Sequence, residues 1–163
     1  MEVLPTAARA VAFGAAVMAT SLLVRKCAPL SEIGPRDIPF QPPGWVFGVV
    51  WPLLYATTGA AWVLSAEGKV ALGGRDAAFF VVTASCCAWL PIYACWREKR
   101  AAAAVLAFTC LAAAWTAAHL QGAAGGLLAP LAAWTGFATY LNAYEVLYDD
   151  WGSEDGCAAL RSR

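Results

Sequence analysis

The stretch IPFQPPGWVFGVVWPLLYATTGAAW, residues 38–62, carries no charged residue. A helix rises about 1.5 Å per residue and the hydrocarbon core of a bilayer is about 30 Å thick, so about 20 mainly apolar residues make one crossing. The run from Pro43 onward meets that length. The double proline Pro42–Pro43 suits a helix start, because proline in the first turn sacrifices no hydrogen bond. Pro52 lies deeper and removes the bond to the Gly48 carbonyl, which predicts a kink beside Trp51. Trp45 and Trp51 are six residues apart, about 600° around a helix, and so point to roughly opposite faces. That spacing assigns Trp45 to the membrane interface and Trp51 to the interior.

The whole chain has the same character. Of 163 residues, 61% are hydrophobic and 13% charged, and mean hydropathy is +0.59; a soluble domain carries about 25% charged residues. Net charge is zero and the 11 basic residues are dispersed, which excludes a nucleic-acid partner. The lipid bilayer is the expected environment.

The same ruler predicts an all-α membrane protein, a bundle of five transmembrane helices at about 4–24, 43–66, 77–96, 101–120 and 127–148, in one domain over 1–150 with a polar C-terminal tail at 151–163. Arg9 would snorkel from near the end of the first span. From Ala101 to Tyr144 no residue is formally charged; as one helix those 44 residues would be about 66 Å long, twice a bilayer. They must form two helices, and the break is expected at QGAAGG, residues 121–126. Glu2 does not suit the basic start of a signal peptide, so the first apolar run is expected to be retained. Between the first two spans lies RKCAPLSEIGPRDIPFQPP, a long proline-rich loop of a kind more often functional than idle.

Three basic residues (Arg9, Lys69, Arg75) fall on the side of the N-terminus and eight (Arg25, Lys26, Arg36, Arg97, Lys99, Arg100, Arg161, Arg163) on the other. This asymmetry predicts that the first and third loops and the C-terminus are cytoplasmic. A bacterial inner membrane, a mitochondrial outer membrane and another endomembrane all fit that split. The six cysteines form no C-x-x-C pair. They read as small buried hydrophobes, with one bond between Cys27 and another loop or tail cysteine left open. Alanine runs, and Gly44 and Gly48 four apart, suit close helix packing and a homodimer.

The aromatics are ordered by helix face. Phe47, Trp51, Tyr55 and Trp62 recur at 4, 4 and 7 residues, and Trp89, Tyr93 and Trp96 at 4 and 3. Trp45, Trp62, Trp96 and Tyr148 stand near span ends, as interface belts require; Trp51, Trp89 and Trp134 stand further in. A cavity walled by indoles suits a flat polycyclic ligand, because π faces favour planar partners and each N–H offers one directional donor. Tetrapyrroles and sterols are the candidates.

PPGWVFGVVWPLLY (42–55), CAWLPIY (87–93) and APLAAWTGFATYLN (129–142) resemble, in order, the helix 2, 3 and 5 motifs of the TspO/translocator protein family of tryptophan-rich five-helix membrane proteins. The resemblance covers roughly residues 5–150. It implies binding of porphyrin or haem in a pocket within the bundle, and of sterols in some members, with no obligatory cofactor. It places Trp51 and Trp134 against the ligand, Tyr55 and Trp89 on neighbouring walls, Ala138, Leu141 and Asn142 on the helix 5 face, and the first loop as a lid. With the aromatic faces and the lid added, Phe40, Pro42, Phe47, Cys86 and Tyr93 complete the expected ligand-binding set; neither catalytic nor metal-binding residues are expected. Phe40 stands where the family usually has tryptophan, Cys86 where it has asparagine, and Leu131 where it has tyrosine. A sterol motif needs Lys or Arg soon after a tyrosine, and neither Tyr144 nor Tyr148 is so followed.

The function these features point to is sequestration, sensing or transport of tetrapyrroles. The alternatives are light-dependent oxidative breakdown of porphyrin and a membrane scaffold. His119, the only histidine, reads as a capping or headgroup-facing residue, and Glu145 as an interfacial charge.

Overall fold

The chain folds, in a computed structural model, into five α-helices with no strand among the described residues: α1 Thr6–Val24, α2 Gly44–Ala66, α3 Gly74–Ala94, α4 Lys99–His119 and α5 Ala123–Arg161. The structure describes the backbone of residues 6–24, 26–27, 38–66, 74–120 and 122–161, and the side chains of 11–24, 26–27, 38–66, 74–120 and 122–147. Residues 25 and 28–37 of the expected lid loop, the snorkelling of Arg9 and the belt position of Tyr148 fall outside the described residues. α5 does not stop near 148, since its backbone stays helical to Arg161. α2 stays helical through Pro52, whose ring is exposed.

Helix neighbours do not follow chain order. α1 packs on α2 and α3, α2 also on α5, α5 on α4, and α4 on α3. The helices therefore form a ring in the order α1, α2, α5, α4, α3. Its interior is filled by Phe13 and Val17 from α1, Leu54, Tyr55 and Trp62 from α2, Phe79, Val82 and Cys86 from α3, Ala113 from α4, and Leu128 and Leu131 from α5.

The exterior is apolar as well. Val11, Met18, Leu22, Val49, Leu53, Val81, Phe108, Leu111 and Trp115 are all exposed, an arrangement that water would penalise and lipid does not. α2, α3 and α4 are each long and apolar enough to cross a bilayer, while the described apolar part of α1, Val11–Val24, is shorter. Most described helical hydroxyls bond within their own helices, as Thr20 to the Ala16 carbonyl (2.9 Å), Thr109 to Val105 (2.7 Å) and Thr135 to Leu131 (2.8 Å), with the buried Thr58 hydroxyl an exception. This satisfies polar groups where lipid offers no partner. The molecule is a five-helix membrane bundle.

Four local expectations need correction. Trp62 is not a belt residue: it is 1% exposed, its ring lies parallel to Phe79 at 5.4 Å, and its Nε1–H donates to Asp76 Oδ1 at 2.7 Å. α3 begins with Asp76 facing back toward α2, which gives the indole a buried acceptor. Trp45 and Trp96, by contrast, are 70% and 69% exposed. Gly44 and Gly48 pack nothing within the chain, having no neighbour within 4 Å of a Cβ built on them. Cys95 is not a small hydrophobe, because it is disulfide-bonded to Cys27, with Cα atoms 5.1 Å apart.

The fourth correction concerns the α4–α5 break. Leu120 N–H closes α4 on the Thr116 and Ala117 carbonyls, and Gly122, at φ +63°, is the left-handed residue among those described in the turn. Gly125 lies inside α5 rather than in the turn, and a Cβ there would sit 2.7 Å from the Ala117 carbonyl oxygen. Gly125 is thus the close-approach residue of the helix pair. Gly125→Ala is expected to lower stability by about 1–3 kcal/mol through that backbone clash, read as a lower melting temperature in detergent; Gly126→Ala, with open space around it, is the control.

Candidate ligand-binding site

Three helices that are apart in sequence bring tryptophans together inside the ring. Trp51 of α2 stacks on Trp89 of α3, with centroids 5.7 Å apart at 26°, and meets Trp134 of α5 edge-on at 6.4 Å and 89°. The i, i+4 spacing then extends the stack along each helix, because residues four apart share a face. Tyr55 follows Trp51 at 5.7 Å, and Tyr93 follows Trp89 at 5.7 Å and 26°. The result is a ladder of rings in the order Tyr55, Trp51, Trp89, Tyr93. Phe47 and Phe137 flank Trp134, each at 5.6 Å, and Phe13 of α1 meets Tyr55 edge-on at 5.6 Å.

Of the expected set, Phe47, Trp51, Tyr55, Trp89, Tyr93 and Trp134 are gathered in this cluster. Cys86, one turn before Trp89, is 5% exposed and belongs to the core that Tyr55 joins. Ala138, Leu141 and Asn142 continue the inward face of α5 and are buried. Pro42 is half-buried ahead of α2. Phe40 is not brought to the cluster. It is 86% exposed at φ +65°, with the Gln41 N–H bonded to the Ile38 carbonyl at 3.1 Å. Pro39 and Phe40 therefore occupy the two central positions of a tight turn, with Phe40 where glycine or asparagine is favoured, and the turn throws the ring outward.

The polar atoms of the cluster are incompletely used. Trp89 Nε1, Trp134 Nε1 and Asn142 Oδ1 are buried without a hydrogen-bond partner, whereas Asn142 Nδ2 donates to the Ala138 carbonyl at 3.1 Å. A buried donor left unmade costs about 1–3 kcal/mol, so two of them beside one stack of rings mark the place where a hydrogen-bond acceptor would be stabilised. Among the described residues no three His, Cys, Asp or Glu side chains gather to hold a metal ion.

At its Tyr93 end the ladder meets charge. The Tyr93 hydroxyl donates to Glu145 Oε2 at 2.7 Å, and Lys99 Nζ contacts Glu145 Oε1 at 2.7 Å. Glu145 is 4% exposed, so it is a buried carboxylate and not the interfacial charge expected. Its i+11 relation to Trp134 places it on the inward face of α5, a signal that was readable but outweighed by its position near the span end. Phe13, also missed, shares its face with Val17, four residues on. His119 holds its Nδ1 2.7 Å from the Trp115 carbonyl, its ring over the Trp115 indole, and is exposed.

A five-helix membrane bundle with a tryptophan-walled interior built from α2, α3 and α5 defines the class of protein. The model of the TspO/MBR family matches residues 8–147, and the chain belongs to that family. It is a family of membrane proteins that bind tetrapyrroles and sterols. No curated protein matches the chain.

Proposed function

We propose that the chain binds a planar tetrapyrrole, a porphyrin or haem, between the rings contributed by α2, α3 and α5, for sequestration, sensing or transport. The observation that carries this reading is the contact of Trp51 with both Trp89 and Trp134, two indoles whose buried N–H groups have no partner. A flat conjugated macrocycle replaces ring-on-ring contacts with equivalent ones, and its carboxylates accept the indole hydrogen bonds. A sterol, with one hydroxyl, uses fewer of these donors.

Titration of purified protein with protoporphyrin, followed by quenching of tryptophan fluorescence, tests the reading. Trp51→Phe with Trp134→Phe is expected to weaken binding at least tenfold, about 1.4 kcal/mol or more. Unchanged affinity in the double variant would remove the cluster as the site.

A second reading, light-dependent oxidative breakdown of bound porphyrin by dioxygen, draws on the unbroken ladder from Tyr55 to Tyr93 and the carboxylate that accepts the Tyr93 hydroxyl. Loss of the porphyrin absorption bands in light, and only with Trp51 and Trp134 present, would favour it over binding alone.

A further inference from the structure

We propose that the Cys27–Cys95 disulfide is a thiol–disulfide exchange site that latches the Tyr93 end of the aromatic ladder, and that a dithiol reductant is the class of molecule that opens it. The argument starts from where the bond sits. Lys26 and Cys27 N–H groups bond to the Leu23 and Val24 carbonyls at 3.2 and 2.8 Å, so Cys27 continues the last turn of α1. Cys95 and Trp96 N–H groups both close on the Pro91 carbonyl, and Arg97 at φ +57° turns the chain toward α4. The bond therefore staples the α1–α3 seam of the ring to the corner between α3 and α4.

That corner holds both partners of Glu145. Tyr93 lies two residues before Cys95, and Lys99 lies four residues after it. The Tyr93 ring stacks on Trp89, and its hydroxyl and the Lys99 ammonium each reach the Glu145 carboxylate at 2.7 Å. Opening the staple frees the corner to move relative to α1, and the corner carries the end rung of the ladder with it.

The chemistry suits exchange. Cys27 is exposed and Cys95 half-buried, in contrast to Cys86 in the core. Lys26 precedes Cys27 and Arg97 follows Cys95 by two residues, both exposed, and positive neighbours stabilise the departing thiolate. One thiolate of the dithiol attacks a sulfur of the Cys27–Cys95 bond and expels the other cysteine as thiolate. The second thiol of the reductant then closes its own disulfide and releases the first cysteine. Two electrons and two protons pass from the dithiol to Cys27 and Cys95. In a reducing cytoplasm, where the basic-residue asymmetry puts this face, thiol pools hold the latch open; facing an oxidising compartment, it stays closed.

The test uses the full chain in detergent or lipid nanodiscs, oxidised or treated with dithiothreitol, with mass spectrometry of maleimide-labelled cysteines recording the state of Cys27 and Cys95. Two quantities are read: amide hydrogen exchange over residues 92–102 and the release rate of bound protoporphyrin. Reduction is expected to raise both by about tenfold, as release of a local constraint does. Reoxidation with glutathione disulfide is expected to restore the slow values, and Cys27→Ser to show the fast values with or without reductant. Equal values in the two states, or a Cys27→Ser protein that still responds to dithiothreitol, would overturn the latch. Only the release rate rests on the tetrapyrrole reading. If protoporphyrin fails to bind in either state that reading falls, and hydrogen exchange alone decides the latch.

Discussion

Lys99→Met is expected to destabilise the bundle by about 2–4 kcal/mol, more than Glu145→Gln does. The Glu145 side chain is 6% exposed and that of Lys99 34% exposed. Removing the lysine leaves a carboxylate charged in a low-dielectric interior, supported by the Tyr93 hydroxyl, and a buried charge deprived of its counter-ion costs several kcal/mol. Glu145→Gln leaves instead a lysine already one-third in solvent, whose charge water screens, and an amide oxygen that still accepts the Tyr93 hydrogen bond. The part-exposed ammonium also screens the pair, which is why the figure stands below the full cost of breaking a buried bridge. Melting temperatures of the two variants in one detergent provide the check. Equal losses, or a larger loss for Glu145→Gln, would show that the carboxylate is not buried as described.

Trp62→Ala is expected to cost about 3–5 kcal/mol, the range for emptying a large aromatic from a core. The indole is 1% exposed, lies parallel to Phe79 and meets Phe80 edge-on at 5.1 Å. Trp62→Phe keeps most of the packing and loses the Nε1–H bond to Asp76, at about 1–3 kcal/mol. Trp45→Ala, at a residue 70% exposed, is expected to leave stability nearly unchanged. Thermal unfolding of the three variants side by side separates a clamp between α2 and α3 from a belt of interfacial tryptophans; equal small effects at Trp62 and Trp45 would return Trp62 to the belt.

What could be read without coordinates was whatever depends on a single helix. The all-helical build and the need for five helices follow from charge spacing. The shared face of Phe47, Trp51 and Tyr55 follows from four-residue periodicity, and these rings do converge in one cluster with Trp89 and Trp134. What was not readable depends on a partner from another helix. Trp62 near a span end has the position of a belt residue until Asp76, fourteen residues on, folds back to accept its hydrogen bond. Gly125 sits in a glycine-rich break, and only the approach of the Ala117 carbonyl shows that it serves packing and not the turn. Cys27 and Cys95, 68 residues apart, carry no spacing pattern that pairs them. Phe40 is a local exception: the family's tryptophan at that position and the expected lid placed it at the site, and the tight turn at Pro39 and Phe40 sends its ring the other way.

The ring order of the helices also bears on how the protein is made. Synthesis delivers α1 to α5 in sequence, but α5 belongs between α2 and α4. α1, α2 and α3 can meet as soon as they are inserted, bringing Trp51 against Trp89, while the seam between α2 and α5 waits until α5 follows α4. That seam is where Phe47 and Trp51 meet Trp134. The Trp134 side of the aromatic cluster is therefore set by α5, which leaves the ribosome after the other four helices, and a chain halted after α4 would hold a half-built stack open to lipid.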